Sequence, residues 1–305
     1  MTKSGHFGDA ELDELHDVID GGREEGACLT GHLADFKKRR NQVSCNYRWQ
    51  CYEGNQADSS ITERLERYKD VEHKARYRTD LRVTKTTDWL LKYCFFVPAP
   101  EEGDWDIGGP SKDLKRRTFA GTKTKIPAGE NFTSALWPYY NNAHHIIPKG
   151  TLKSEIAATN VSDIVQKGLL KAKYNINHAK NMIFLPMDKR IGQILHLPRH
   201  LEFRGKMSHP TYDTYSAAEP VAGGKTEDDY EIETEEGLSQ IIDDFVATAS
   251  DAETEADGTH KIPDVSLSKA RLEKLSKDLL ETILIWGETG TGESLDEHAE
   301  ADLED

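Results

Sequence analysis

Asn142-Ala143-His144-His145-Ile146-Ile147-Pro148 and, after a helix-length interval, Asn175-Ile176-Asn177-His178-Ala179-Lys180-Asn181-Met182-Ile183-Phe184-Leu185-Pro186 decide the reading of this 305-residue chain. The first stretch sets a histidine pair beside apolar residues and closes with proline. Neighbouring residues of a strand face opposite sides, so two adjacent histidines take different tasks only where the strand end bends. Pro148 and Gly150 supply that bend. The second stretch contains a short apolar run, residues 182–185, closed by Pro186, which reads as a buried strand or hairpin arm. Residues 152–172 read as helix, and residues 118–148 as strand or loop.

Six of the twelve histidines fall between His144 and His209: His144, His145, His178, His196, His200 and His209. Such clustering points to a metal or acid–base site. Cutting a phosphodiester needs a water made more basic, neutralisation of the transition-state charge and stabilisation of the leaving oxygen. A neutral imidazole does the first at physiological pH, and one divalent metal does the other two. His178 reads as a surface or structural residue.

The two stretches together resemble the AHH branch of the HNH/endonuclease VII nucleases. That family shows an AHHIVP-like strand end, a helix, a D-I-N-x-A-x-N-x-x-x-L-P block, and a later histidine pair before a tyrosine on a helix. Here the late part reads His200 … Ser208-His209-Pro210-Thr211-Tyr212-Asp213-Thr214-Tyr215. The resemblance covers about a third of the chain. It implies a metal-dependent endonuclease acting on DNA, with RNA as the other candidate substrate; one histidine base, one metal and a basic surface leave little base-specific readout, so low sequence specificity is expected. The fold it implies is α+β: a ββα-metal (His-Me finger) core with mainly helical flanks. His145 matches the general base and His144 a position that is often a metal ligand. Asn181, on the second strand, matches the asparagine that in relatives either binds metal or pins the loop holding the base. His209 matches the metal-binding helix histidine. The implied cofactor is a divalent ion, Mg2+ first, with Zn2+, Mn2+ and Ni2+ as further candidates. The chain departs from the pattern at the late pair, where LEFRGKMS separates His200 from His209. His196-Leu197-Pro198-Arg199-His200 offers a rival HxxxH pair, although Pro198 opposes a regular helix there. The family's contexts add the expectation of a toxin, effector or defence enzyme with an inhibitor or immunity protein as partner.

Charge supports a polyanionic partner. Residues 111–210 hold 17 Lys+Arg against 6 Asp+Glu, net +11. Residues 1–110 are net −5 and residues 211–305 net −21. A basic centre suits phosphate neutralisation. It equally suits pairing with the acidic C-terminal region, which would then shield the centre until it is released. Lys149, Lys180, Lys189, Arg190, Arg199, Arg204 and Lys206 are the candidate phosphate contacts.

Three regions follow: a mainly helical 1–112, a nuclease domain 113–220 and an acidic helical 221–305 ending in a disordered tail. Residues 9–20 read as a helix. Ser60 to about Phe96 reads as one or two helices, opened by a capping box on Ser60 and Glu63. Residues 237–249 and 267–286 complete the set; Leu272, Leu275, Leu279, Ile283 and Trp286 recur at helical spacing, and Gly287 fits the end. The four cysteines read chiefly as thiols. A zinc site on Cys28, His32, Cys45 and Cys51 is the lesser alternative, because its spacing departs from a zinc knuckle.

Other classes fall away. Gly287–Ser294 has P-loop glycine spacing, but Glu293 stands where the phosphate-binding lysine belongs. HExxH is absent, so metalloprotease chemistry is not supported. No apolar run reaches the ~18 residues of a membrane span, so no membrane partner is expected. The N-terminus lacks the basic-then-apolar start of a cleavable signal, which places the protein in the cytoplasm or on an export route without one. The competing class is a non-catalytic, zinc-stabilised nucleic-acid-binding or assembly protein. The intact His144-His145 pair argues against it, since a binder has no need of a base.

Overall fold

Asn46 and Asp58 open the first two helices, α1 (Tyr47–Ala57) and α2 (Ser59–Lys69). Asn46 Oδ1 accepts from Trp49 N at 3.1 Å. Asp58 Oδ1 accepts from the backbone N of Ser60 (2.9 Å) and of Ile61 (3.3 Å), and from the Ser60 hydroxyl (2.6 Å). Each cap satisfies N–H groups that a helix start leaves without intrahelical partners. The capping box expected on Ser60 is therefore displaced. The carboxylate two residues earlier takes the cap, and Ser60 lies inside the helix. Ile61, Arg64, Leu65 and Tyr68 then fall on the buried face at spacings of three and four.

The computed structural model describes residues 28–29, 46–69, 114–117, 123–126, 128–129, 139, 141–186, 189–200, 227–249, 267–289 and 295. The helix expected over 9–20, the helical stretch expected past Lys69 and most of the disordered tail expected over 288–305 lie outside these residues; within that tail Leu295 is buried, its N donating to Arg199 O at 2.8 Å. β1 (Leu114–Arg117) and β2 (Lys123–Ile126) pair antiparallel, Leu114 opposite Ile126 and Arg117 opposite Lys123. β3 (Asn141–His145) and β4 (Met182–Pro186) form a second two-stranded sheet. Between them lie α3 (Lys149–Ala158) and α4 (Ser162–Lys171), where one helix was expected. Thr159 turns extended, its N and Oγ1 both bonding back to Ile156 O. Thr159, Asn160 and Val161 are all weak helix formers, so the break falls there.

α5 (Lys189–Leu195), α6 (Glu227–Ala249) and α7 (Lys269–Glu288) complete the described elements. The last matches its expected span to within two residues. α6 begins ten residues before the expected 237. Its first half is so acidic that it reads as solvated linker, yet Tyr230, Thr234, Leu238, Ile241, Ile242, Phe245 and Ala249 form a buried stripe along it. Acidic residues in a first turn also suit the positive end of the helix dipole. The described fold is thus mostly helical with two small sheets, compatible with α+β. No described helix is long and apolar enough to cross a membrane.

Two compact units are each assembled from three stretches of chain. The first takes Met1–Cys51, His145–Ile183 and Asp228–Glu281; the second takes Tyr52–His144, Phe184–Glu227 and Thr282–Asp305. In the first, Ile147, Leu152, Val165, Leu169, Ile176, Leu238, Phe245, Leu272 and Leu279 are buried. A methyl group at Gly168 would collide with the Phe245 ring, so glycine lets α4 and α6 approach closely. In the second unit Ile61, Tyr68, Tyr139, Leu185, Leu195, Leu197 and Ile283 are buried. The Tyr68 and Tyr139 rings meet edge to face at 5.6 Å, a favoured aromatic arrangement.

Arg64 binds the second unit together electrostatically. Its Nη1 donates to the carbonyls of Leu195 (3.2 Å) and His196 (2.6 Å), and its Nη2 pairs with Glu288 Oε1 at 2.6 Å. The end of α5 is thereby capped by a cation, as the negative pole of a helix prefers. Hydrogen bonds from His196 and Arg64 hold the Glu288 carboxyl below the usual carboxylate range. Gly287 sits where any side chain would strike the His196 carbonyl. The first glycine of the P-loop-like spacing is therefore a packing residue. Gly287→Ala meets backbone that cannot rotate away, and should lower stability by about 1–3 kcal/mol. Arg64→Ala strands buried carbonyls and should cost about 2–4 kcal/mol. Urea unfolding of the purified variants measures both.

Candidate active site

His144 and His145 end β3 and differ in their surroundings: His144 is buried and His145 half-buried. In the first unit, His145 Nε2 lies 2.8 Å from Asn177 Oδ1, and the Tyr47 ring lies beside the imidazole at 5.8 Å, tilted by 49°. Asn177 is fully buried. Its N donates to Asn175 Oδ1 at 2.9 Å, and its Nδ2 reaches Cys28 Sγ at 3.7 Å. Cys28 is fixed there by a parallel bridge: its N donates to Tyr174 O, and its O accepts from Ile176 N at 2.8 Å. Cys28 and Cys51 are buried thiols, and burial pushes the Cys51 thiol up against the opposing effect of Arg48. His32 and Cys45, the other members of the alternative zinc set, lie outside the described residues.

The Asn181 side chain of the same unit is bonded at both of its amide heavy atoms. It closes the short 3-10 turn Ala179–Asn181, one residue before β4, where the family pattern implies a strand position. Oδ1 accepts from Ile147 N at 2.6 Å and shares the Ser276 hydroxyl at 3.0 Å. Nδ2 donates to Ile147 O (3.2 Å) and Ile176 O (2.9 Å). Its backbone O accepts from Ile146 N at 2.9 Å. Both amide hydrogens and the carbonyl oxygen are thus committed, to the chain that follows His145, to Ile176 and to Ser276. This arrangement fits the loop-pinning alternative and leaves the amide poorly placed as a metal ligand.

The flanks build this site too. Ala179 N donates to Gln50 Oε1 at 2.9 Å, from α1. Tyr230 of α6 donates its hydroxyl to Ile146 O. Burial raises the Tyr230 phenol, with Glu231 adding to the shift, so it stays a protonated donor. Ser276 of α7 holds Lys180 O at 2.6 Å. The acidic C-terminal region therefore helps hold the turn at Lys180 and Asn181 through α7. An open groove of about 590 Å³ lined by Glu155, Glu235, Glu236, Asp243 and Asp244 has the wrong sign for nucleic acid. Burial, then Glu235 and Asp243, raise Glu155 there.

In the second unit, the His144 and His200 rings stand edge to face with centroids 4.6 Å apart. His200 is anchored by its N donating to Pro186 O at 3.0 Å. His196 does not join them. It adopts φ 50° just after α5 and directs Nδ1 to Glu288 Oε2 at 3.2 Å, so the rival HxxxH pair is split. Two close imidazoles suit a borderline divalent ion such as Zn2+ or Ni2+, and accept Mg2+ only with oxygen ligands added. Among the described residues no group of three His, Cys, Asp or Glu gathers. His209, the implied further ligand, lies outside them.

The candidate phosphate contacts divide. Lys149 is exposed at the start of α3, whose first turn carries no acidic residue. Lys180 is exposed and pairs with Glu273 at 2.7 Å. Lys189 and Arg190 open α5. Arg199 departs from expectation: it is 1% exposed, so its guanidinium serves the interior and a backbone phosphate does not reach it. Arg204 and Lys206 lie outside the described residues. His178 is structural, as expected, its Nδ1 capping the 3-10 turn through Lys180 N.

Residues 131–216 match the model of AHH, a nuclease family of the HNH/ENDO VII superfamily with conserved AHH. This segment is similar to the AHH nucleases. It spans both histidines, Asn177, Asn181, His200 and His209. Comparison with curated proteins and with solved structures gave no match. The match supports nuclease activity and with it a nucleic-acid substrate. Sequence reasoning passed over Tyr47, Gln50, Tyr230 and Ser276, which no local pattern marks, and read Cys28 only as a thiol or a zinc-ligand candidate. Asn177 stood in the quoted block without a role.

Asn181→Ala leaves Ile147 N, Ile147 O and Ile176 O without their partner and should cost about 2–4 kcal/mol in urea unfolding. A chain ending at residue 222, lacking Tyr230 and Ser276, should lose its cooperative thermal transition. A sharp melt from that shortened chain would show that α6 and α7 are dispensable.

Proposed function

We propose that this chain is a metal-dependent HNH-type endonuclease that hydrolyses DNA phosphodiester bonds with low sequence specificity. The observation that carries the reading is His145, half-buried at the end of β3, held through Nε2 by Asn177, within a segment matching a nuclease family. In this reading residues 113–220 form the nuclease domain, built on a ββα-metal core with β3 and β4 as its strands.

His145 is the general base. Its neutral imidazole takes a proton from a water molecule as the water oxygen bonds to phosphorus. The bond from phosphorus to the 3′-oxygen breaks, and that oxygen leaves and takes up a proton. His144 and His200, with His209, would hold the divalent ion, which when bound supplies charge neutralisation at the phosphate and at the leaving oxygen. Asn181 keeps the loop after the base in place. Lys149, Lys180, Lys189 and Arg190 supply phosphate contacts that carry no base-specific information. Activity of that kind suits a toxin, effector or defence enzyme restrained by an inhibitor or immunity protein.

Supercoiled plasmid incubated with the full chain and Mg2+, Mn2+, Ni2+ or Zn2+ tests the reading. Nicking should require the ion, stop with EDTA, and fall about 10²–10⁴-fold in His145→Ala, the range for loss of a general base. Intact plasmid under every ion, together with tight retention of zinc, would turn the assignment to a binding or assembly protein.

A further inference from the structure

We propose that Asn177 is a positioning residue that fixes the tautomer and orientation of His145, and that Cys28 sets the direction of the Asn177 amide. The proposal rests on the reading of His145 as general base. Asn177 Oδ1 can only accept, so the 2.8 Å contact places the ring proton on Nε2. Nδ1 then carries the imidazole lone pair and is the nitrogen that receives a proton from water. The reverse amide orientation would present Nδ2 to the ring, demand a lone pair on Nε2, and move the proton to Nδ1.

Three further contacts hold the amide as it stands. Nδ2 points to Cys28 Sγ at 3.7 Å, and sulfur is a weak acceptor. Asn177 N is tied to Asn175 Oδ1 at 2.9 Å, which fixes the backbone under the side chain. Cys28 is locked by its backbone bridge to Tyr174 and Ile176. Asn177 is fully buried, so water does not compete for its amide. The Tyr47 ring at 5.8 Å restricts the imidazole from another side. The chain Cys28, Asn177, His145 thus resembles in logic a base oriented by a hydrogen-bonded partner that is itself oriented. It also gives the N-terminal region a part in the site, through a residue more than a hundred positions from the histidine pair.

The test uses the full chain with 15N-labelled histidine, at a pH where the ring is neutral. Long-range 1H–15N spectra, with His145→Gln for assignment, should show a one-bond proton on His145 Nε2, protected from exchange with water. That proton should lose its protection in Asn177→Leu, and persist in Asn177→Asp, which keeps an acceptor oxygen. In plasmid nicking, Asn177→Leu should lower kcat about 10–100-fold, the usual cost of losing an orienting partner, while KM stays within about threefold. Asn177→Asp should recover most of the rate. A proton on Nδ1 in the unmodified protein, or an Nε2 proton equally protected in folded Asn177→Leu, would overturn the proposal. The spectra need no cleavage, so a protein without nuclease activity could still pass or fail them. If Asn177→Leu does not fold, the spectrum of the unmodified chain and of Asn177→Asp decides.

Discussion

The side chain of Asn181 is the constraint on which the first unit depends. A buried primary amide must place two donors and an acceptor or cost several kcal/mol. Here its partners come from three places at once: the chain just beyond β3, the carbonyl of Ile176 and the hydroxyl of Ser276 on α7. One residue therefore fixes the path of the chain leaving His145, the loop that carries Asn177 and the seat of the C-terminal helix. Apolar burial of Ile146, Ile147 and Ile176 supplies the driving force around it. The hydrogen bonds select one arrangement from those that burial alone would allow.

Polar groups at the end of β3 are organised around the His145 imidazole. His145 stays partly open, and the groups that orient it are closed off from water. Hydrogen bonds in such an interior are stronger than in solvent, and unmet ones are costlier. This explains why residues from both flanks are recruited. A single short segment cannot supply a carbonyl acceptor, a hydroxyl donor, an amide and an aromatic wall within a few residues of itself. Gln50, Tyr230 and Ser276 come from far along the chain because the chain has folded back to bring them.

The same logic separates the two faces of the histidine-rich region. His144 and His200 stack edge to face within one unit, whereas His196, four residues from His200, turns to Glu288. Proximity in sequence did not decide this. The end of α5 at Leu195 and the left-handed turn at His196 sent one ring to an acidic partner and left the other near β3. Arg199 shows the opposite outcome for a charged side chain: interior packing outweighed its place in a basic segment. Local charge patterning reports the average field of a region and says little about which guanidinium faces solvent.

The sequence by itself determined the elements with a strong local signal. The strand at residues 182–186 follows from a short apolar run before proline, and α7 from leucines at helical spacing. The nuclease reading followed from the order of residues in two blocks, which needs no tertiary information. The start of α6 did not follow, because its acidic first half hides a buried stripe whose partners lie elsewhere. The site's supporting shell did not follow either. Asn177, Cys28, Tyr230 and Ser276 acquire their tasks only from contacts between residues distant in the chain, and hydrogen-bond satisfaction in a closed interior is a property of the folded whole. Composition and spacing can nominate a histidine; only the packed structure decides which groups bond its ring.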